Sequence, residues 1–169
     1  MSEHTTNTAL QLRPPAHRVS RRAIGYWTVT ASILWIILIG IQTLIVVTSD
    51  DAPSFLTVTL VLSCVLGPLH LIVMPQWRYR VHRWETTDQA VYTQTGWFSQ
   101  ERRIAPISRI QTVDMHRGPI EQLFSLANVT VTTASAAGPI RIHALDRALA
   151  QRLVDELTTI TQASHGDAT

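Results

Sequence analysis

The 169-residue sequence lacks charged side chains over two long stretches, residues 23–49 and 52–77. Its 14 basic and 12 acidic residues all lie outside these stretches, although the net charge of +2 is unremarkable. A bilayer core roughly 30 Å thick is crossed by about 20 apolar helical residues, so each stretch is long enough to span a membrane. This distribution excludes an ordinary soluble enzyme, a disordered chain and a secreted disulfide scaffold.

Lysine is absent, and Cys64 is the only cysteine. A single cysteine excludes an internal disulfide and a cysteine-based zinc site, and its place in the second uncharged stretch predicts burial and a packing role. The seven histidines show no zinc-ligand spacing, and neither a glycine-rich phosphate loop nor a G-x-S-x-G nucleophile motif is present. We therefore predict no catalytic residue, no cofactor and no metal site, and a non-enzymatic protein.

The two uncharged stretches predict membrane spans at about residues 23–48 and 52–74, and neither shows the polar stripe of a soluble core helix. Only residues 49–51 separate them, which predicts an antiparallel helical hairpin with a minimal loop. A cleaved signal peptide is the alternative for the first stretch. That alternative fits poorly, because the stretch is too long for a signal-peptide core and no A-x-A-like cleavage site follows.

Arginines flank the predicted hairpin on one side, and the loop between the spans carries two aspartates and no base. The flanking arginines are Arg13, Arg18, Arg21, Arg22, Arg78, Arg80 and Arg83. By the positive-inside rule, both termini are predicted in the cytoplasm and the protein in the cell membrane. Tyr26, Trp27 and Trp77 are expected in an aromatic belt on the cytoplasmic face, and Phe55 near the opposite face.

Polar residues within the spans raise two questions. Gln42, Thr57 and Thr59 fall at similar depth in an antiparallel hairpin, which predicts an inter-helix hydrogen bond, with a ligand site as the alternative. His70 is ionisable and suggests a proton-relay or sensing role. However, His70 lies near the predicted cytoplasmic interface, and neither span contains an acidic partner, so a special role is not favoured.

Residues 67–68, Gly-Pro, predict a bend in the second span, because proline removes a backbone hydrogen-bond donor from the helix.

Residues 75–161 are predicted to form a small, mainly β domain. Alternating patterns and turn residues predict strands at residues 79–86, 90–95, 97–104, 107–116, 129–133 and 140–142, with a helical turn at 120–124. Leu149, Leu153, Leu157 and Ile160 then recur at helical spacing behind Asp146, a candidate N-cap. Together these patterns predict a strongly bent antiparallel sheet or barrel that is closed at one end by a terminal helix.

The segments outside the spans and this domain are predicted to be tails. Residues 1–22 are expected to form a cytoplasmic N-terminal tail that is disordered to about residue 18, because this stretch is polar and lacks hydrophobic periodicity. Residues 162–169 are expected to form a second disordered tail.

Several segments resemble the bacterial pleckstrin-homology (PH) domain family, in particular its membrane-anchored YdbS-like members. They are residues 83–88, 96, 103–114, 118–127 and 129–134, and Arg-Ile-Gln-Thr-Val-Asp at 109–114 is the most specific. The resemblance implies a two-helix membrane hairpin followed by a PH-like, seven-stranded bent sheet with a C-terminal helical cap, and no known catalysis. Ser125 departs from the family's glycine, which implies either a strained turn with positive φ or a different turn.

The first hypothesis of function is an interaction or scaffold module at the cytoplasmic face, binding a protein partner or a second copy through an open strand edge or the groove beside the terminal helix. The polar residues of the most specific region that are candidates for this surface are Arg109, Gln111, Asp114, Arg117 and Glu121. The alternative for them is a local role, in which hydrogen bonds and ion pairs hold the Gly-Pro turn at residues 118–119.

The second hypothesis is recognition of anionic lipid head groups at the inner leaflet. The candidate contacts are Arg78, Arg80, Arg83, Arg102 and Arg103. The alternative is that the arginines nearest the spans only set topology, and the turn Asp88-Gln89 is not basic. Binding to nucleic acid is not predicted, because the basic isoelectric point reflects arginines distributed along the chain and not a basic groove.

Overall fold

A computed structural model describes residues 14–49, 51, 53–96, 99–135 and 138–166. Its elements in chain order are β1 (His17–Arg18), α1 (Arg22–Thr48), α2 (Ser54–Val81), β2 (Arg83–Thr86), β3 (Ala90–Thr95), β4 (Glu101–Pro106), a 3₁₀ turn (Ile107–Arg109), β5 (Ile110–His116), α3 (Pro119–Leu123), β6 (Leu126–Thr133), β7 (Ile140–Asp146) and α4 (Arg147–Gly166). The predicted fold class, an apolar helical pair followed by antiparallel sheets and a terminal helix, is confirmed.

Helices α1 and α2 form the hairpin, and both are long and apolar enough to cross a membrane, with mean hydropathies of 2.3 and 2.2. Small residues on α2 face α1: Ser63 and Gly67 are buried. A Cβ at Gly67 would lie 3.2 Å from ring atoms of Trp35, so glycine allows the helices to approach closely here. Cys64 is exposed on the outer surface of the hairpin and does not pack in the protein interior, so its predicted burial within the span stays a prediction about the bilayer.

Helix α2 continues beyond the predicted end of the second span at residue 74 and ends at Val81. The strand predicted at residues 79–86 therefore begins only at Arg83. The aromatic and β-branched residues of this segment favour a strand locally, but Val81 is buried and Tyr79 packs against the core from the last turn of the helix. Tertiary packing overrides the local preference here.

Strand β1 is an addition that no sequence pattern predicted. His17 pairs with Trp84 and Arg18 pairs with Arg83, and the backbone N–H of Ala16 donates to the Glu85 carboxylate over 2.9 Å. The prediction that the chain is disordered to about residue 18 is therefore wrong for residues 14–18. The rest of that predicted tail, residues 1–13, lies outside the described residues. A two-residue polar strand has no alternation to detect, and its partner is almost seventy residues away in sequence.

The strands form two antiparallel sheets, of order β1-β2-β3-β4 and β5-β6-β7. The described residues thus contain seven strands, one of which precedes the membrane helices. The strands predicted at 97–104 and 107–116 begin later, at Glu101 and at Ile110. Gly96 accounts for part of this shift: its φ of +107° starts a turn in which any Cβ would collide with the Ser99 carbonyl oxygen.

Ser125, the residue that departs from the family's glycine, adopts a φ of +54°. The turn has therefore kept the left-handed backbone conformation despite the side chain, as the first of the two alternatives implied. Its carbonyl accepts a hydrogen bond of 3.0 Å from the N–H of Arg147, which joins the start of β6 to the start of α4.

One hydrophobic core serves both the helical hairpin and the β-rich domain, by which we mean the seven strands with α3 and α4. Leu153 and Leu157 of α4 cover the sheets as the helical spacing predicted. Val19, just before α1, and Ala23 and Trp27, in its first turns, belong to the same buried cluster. No linker therefore separates the hairpin from the domain.

The lipid-facing part of the hairpin begins after this shared core. Large exposed apolar side chains start at Val29 on α1 and end at Trp77 on α2, while Trp27 is only 5% exposed. The predicted place of Trp27 in an aromatic belt is therefore wrong, because the domain covers it. Trp77 and Phe55 are exposed, so their predicted interfacial positions stay predictions.

The shared core predicts that a change inside α1 destabilises the β-rich domain. Trp27→Ala is expected to lower the free energy of unfolding of the domain by about 3–5 kcal/mol, because it removes a buried aromatic side chain. The measurement is the urea midpoint of the full chain in mild detergent, followed by proteolysis of the domain. Ile36→Ala, at an exposed position on the same helix, serves as the control. An unchanged midpoint for Trp27→Ala would mean that the domain folds without α1.

Candidate functional site

A cavity of about 260 Å³ lies where the hairpin meets the β-rich domain. We call it the junction cavity. The helices contribute Thr30, His70, Met74 and Arg78 to its wall, and the domain contributes Glu121 and His143 among others. Its polar groups come from both halves of the chain, so it exists only because the helix ends and the domain share one core.

Glu121 is the centre of a buried hydrogen-bond network on the domain side of the junction cavity. The N–H of Gly118 donates to Glu121 Oε2 and the side-chain amide of Asn128 donates to Oε1, both over 2.6 Å. Asn128 Oδ1 in turn accepts a 2.9 Å hydrogen bond from the N–H of Ala144, whose φ is +55°. A buried carboxylate requires such donors, and these three contacts join α3, β6 and β7.

Arg78, in the last turns of α2, places its charge in the wall of the junction cavity. Its guanidinium carbon lies 4.7 Å from the centre of a ring of Trp27, a favourable cation–π contact. Among the described residues, no carboxylate forms an ion pair with Arg78, and no hydrogen bond from its guanidinium is found. The cation is thus half-buried without an anionic partner among the described residues, which is unfavourable unless an anion reaches it.

Two histidines near Arg78 are held neutral. Burial, reinforced by the positive charge of Arg78, lowers the pKa of His82 to about 4. Its Nδ1–H donates to the Arg78 carbonyl oxygen over 2.8 Å, and its ring centre lies 5.3 Å from that of Trp27. Burial also lowers the pKa of His143, followed by the charges of Arg78 and Arg141. At neutral pH the positive charge of this region therefore resides on Arg78.

His70 joins the two helices deeper in the hairpin. The indole Nε1–H of Trp35 donates to His70 Nδ1 over 3.1 Å, so the histidine has a structural partner and no acidic one among the described residues. The predicted inter-helix bond of Gln42 is wrong: its Oε1 is buried without a partner in the described chain, and Thr59 bonds to Leu56 of its own helix.

An apolar groove of about 580 Å³ runs along the hairpin surface from the junction cavity. We call it the hairpin groove. Trp35, Leu66, Leu69, Val73 and Trp77 line it, together with His70 and Met74. The last two residues also line the junction cavity, so the polar cavity and the apolar groove adjoin.

The five residues predicted as an interaction surface occupy different environments. Arg109, Gln111 and Asp114 are exposed, the latter two on β5. Arg117 is half-buried and donates to the Leu126 carbonyl oxygen over 3.0 Å. Glu121 is buried in the network described above. Arg117 and Glu121 therefore have the local role that was the alternative for this group.

The arginines predicted to contact lipid are also divided. The strand register aligns Arg18, Arg83, Gln94 and Arg102 across β1, β2, β3 and β4, so these side chains share one face of the sheet. We call them the juxtamembrane row, since Arg83 follows the end of α2 by two residues. Arg18 lies 5.8 Å from the ring centre of Tyr79.

The other predicted lipid contacts lie outside the juxtamembrane row. Arg80 is exposed on the last turn of α2. Arg103 follows Arg102 on β4, and successive side chains of a strand point to opposite faces of the sheet. Its guanidinium donates to the Glu101 carboxylate over 2.6 Å and to the Pro139 carbonyl oxygen over 3.1 Å. Arg18 was not among the predicted contacts, because β1 was not predicted.

The junction cavity depends on residues that sequence reasoning missed. Asn128 and His143 lie in strands that contain other polar residues, so no sequence signal distinguished them. Tyr26 and Trp27 were assigned to the membrane interface instead of a protein cavity.

Comparison with known proteins finds two matches. The sequence model of a family described as "Bacterial PH domain" matches residues 19–159, which include both long helices, β2 to β7, α3 and most of α4. The chain is also 31% identical over 113 residues to the UPF0699 transmembrane protein YdbS of Bacillus subtilis (strain 168), covering 63% of this chain and 70% of that protein. Neither match is to a known enzyme. No solved structure gives a significant match.

The neutral, buried His82 predicts a pH-dependent stability. Its folded pKa of about 4 lies below the ordinary 6.5, so between these values the unfolded chain binds a proton that the folded chain does not. The contribution of neutral His82 to the free energy of unfolding is therefore fully present above pH 6.5. It decreases by about 3 kcal/mol as the pH falls to 4. We expect His82→Asn to reduce this decrease in the urea midpoint between pH 7.5 and 4.5. His116→Asn, on exposed β5, is the control, and an equal pH dependence in both variants would contradict the assignment.

Proposed function

The chain belongs to the bacterial PH domain family, and on that premise we propose that it is a non-enzymatic, membrane-anchored module that recognises anionic lipid head groups at the inner leaflet. The juxtamembrane row is the observation that carries this proposal. Three of its four members are arginines, and they share one sheet face beside the end of a membrane helix. A basic residue near an anionic surface contributes about 1 kcal/mol of attraction.

The proposed orientation has two spans and both termini in the cytoplasm. Arg21 and Arg22 stand at the start of α1, and Arg78 and Arg80 lie in the last turns of α2. The connection between the helices carries acidic Asp51 instead. This arrangement matches the positive-inside rule and leaves the β-rich domain at the cytoplasmic surface.

Direct attachment to the helices determines the kind of recognition that we propose. Val19, Ala23 and Trp27 anchor the domain on the helix ends without a linker, so the juxtamembrane row stays at the membrane surface. Recognition would then sort lipids around an already inserted protein, and it would not recruit a soluble protein to the membrane. Arg102 is exposed, and Arg83 is half-buried with one hydrogen bond of 3.4 Å to the Pro15 carbonyl.

The full chain in reconstituted vesicles tests this proposal, because residues 75–169 alone would lack β1 and part of the core. Spin-labelled phosphatidylglycerol is expected to associate more strongly than spin-labelled phosphatidylcholine, as measured by electron spin resonance. An attraction of about 1 kcal/mol corresponds to roughly fivefold stronger association per arginine. The double variant Arg83→Gln/Arg102→Gln should therefore lose most of the preference for phosphatidylglycerol. Salt near 1 M should also weaken it, since the Debye length falls to about 3 Å.

The charge-matched control is Arg109→Gln/Arg152→Gln, which removes two exposed arginines outside the juxtamembrane row. This double variant should keep the preference for phosphatidylglycerol. Equal association of the two lipids with the wild-type protein, or equal loss of preference in the two double variants, would refute recognition by the row.

A second candidate function is the binding of a protein partner, and the open edge of β5 favours it. Strand β5 pairs with β6 on one side, and in the described part of the chain no strand pairs with its other side. Its exposed residues include Gln111, Asp114 and Met115. An unpaired edge of this length is able to accept another strand, and we propose a second copy of the chain as the partner to test first.

Site-directed crosslinking in native membranes tests this second candidate. In a Cys64→Ser background, Gln111→Cys/Met115→Cys is expected to give a disulfide-linked dimer under mild oxidation, because antiparallel pairing centred on Val113 brings position 111 of one copy opposite position 115 of the other. Arg152→Cys/Glu156→Cys, at two exposed positions with the same spacing on α4, is the matched control and should remain monomeric. Dimer formation that is equal in the two double variants, or absent in Gln111→Cys/Met115→Cys, would exclude pairing through β5.

A further inference from the structure

The junction cavity and the hairpin groove have complementary chemistry. The cavity presents the guanidinium of Arg78, which has no carboxylate partner among the described residues, and the groove is apolar along its length. His70 and Met74 line both, so the cavity and the groove are direct neighbours. The polar end lies at the level where α2 leaves the exposed apolar band, and the groove lies within that band.

We propose that the cavity and groove hold one glycerophospholipid molecule, with its phosphate diester against Arg78 and an acyl chain along the groove. This inference rests on the proposed lipid recognition, but it concerns a site for one lipid molecule and residues outside the juxtamembrane row. The site would keep its lipid when surrounding lipids exchange.

Charge supports a phosphate at this place. Glu121, the other charged residue of the cavity wall, already accepts hydrogen bonds on both carboxylate oxygens. Arg78 has no such partner in the described chain, and a phosphate diester supplies oxygen acceptors that a guanidinium binds through two parallel hydrogen bonds. Trp27 holds one face of the guanidinium and leaves its N–H edge for the ligand.

Shape supports an acyl chain in the groove. Trp77 and Leu66 mark its ends on α2, a distance of roughly 16 Å along the helix. The indole of Trp35, fixed by its hydrogen bond to His70, forms the wall on the α1 side. A free phosphate or a soluble phosphate ester would fill the cavity but leave this apolar surface uncovered.

Native mass spectrometry of the full chain, purified in mild detergent with extensive exchange, tests the proposal. The wild-type protein is expected to retain about one phospholipid per chain, identified by extraction and chromatography. Arg78→Gln should lower the affinity by about tenfold or more, because charge-assisted hydrogen bonds are lost, and Arg78→Lys should restore part of it. Arg80→Gln, exposed on the same helix, is the matched control and should retain the lipid.

A second variant keeps the test valid if Arg78→Gln fails to fold. Leu69→Trp/Val73→Trp fills the groove from positions that are 56% and 52% exposed, so it leaves the core intact. It should release the lipid while the urea midpoint stays unchanged. Glycerol 3-phosphate at millimolar concentration should not displace the lipid. Displacement would show that the site binds the phosphate group alone, and it would overturn the assignment of an acyl chain to the groove.

The outcomes separate this inference from the proposed function. Arg83→Gln/Arg102→Gln should lose the preference for anionic lipid in vesicles but keep the retained phospholipid, whereas Arg78→Gln should do the reverse. Two results would overturn the proposed single-lipid site. One is that Arg78→Gln retains as much phospholipid as the wild type, and the other is a broad series of lipid adducts in which binding of one lipid per chain is not distinguished.

Discussion

The burial of the first turns of α1 in the core of the β-rich domain is the constraint on which the rest of the structure depends. Val19, Ala23 and Trp27 pack with residues of both sheets and of α4, so the domain closes around a helix that continues into the membrane. The ring of Trp27 also supports Arg78 on one side and His82 on another. The positions of Arg78 and His82 therefore depend on this buried tryptophan.

Because of this constraint, the arginines near the membrane helices fall into two groups, those on the sheet face and Arg78 in the cavity wall. Those of the juxtamembrane row lie on one sheet face, where charges that reach solvent act weakly and are sensitive to salt. Arg78 is half-buried in the wall of the junction cavity and lacks a carboxylate partner in the described chain, so the charge of an anion that reached it would be less screened. The arginines near the membrane helices thus occupy two different electrostatic environments.

The hairpin and most of the strands were predictable because their signals are local. Absence of charge marks the helices, and alternation marks β3 and β6. The extension of α2 to Val81 and the pairing of β1 were not predictable, since contacts with distant residues decide both. The junction cavity was hidden for the same reason: Tyr26, Arg78, Glu121 and His143 come from four separate elements, and each looks ordinary in its own segment.

The place of β1 in the chain has a consequence for biogenesis. His17 and Arg18 leave the ribosome before either helix, but their partners Trp84 and Arg83 follow both. The β-rich domain can complete its first sheet and its core only if the two ends of the hairpin emerge on the same side of the bilayer. A chain with only one span would hold β1 and β2 on opposite sides of the bilayer and leave the edge of β2 unpaired.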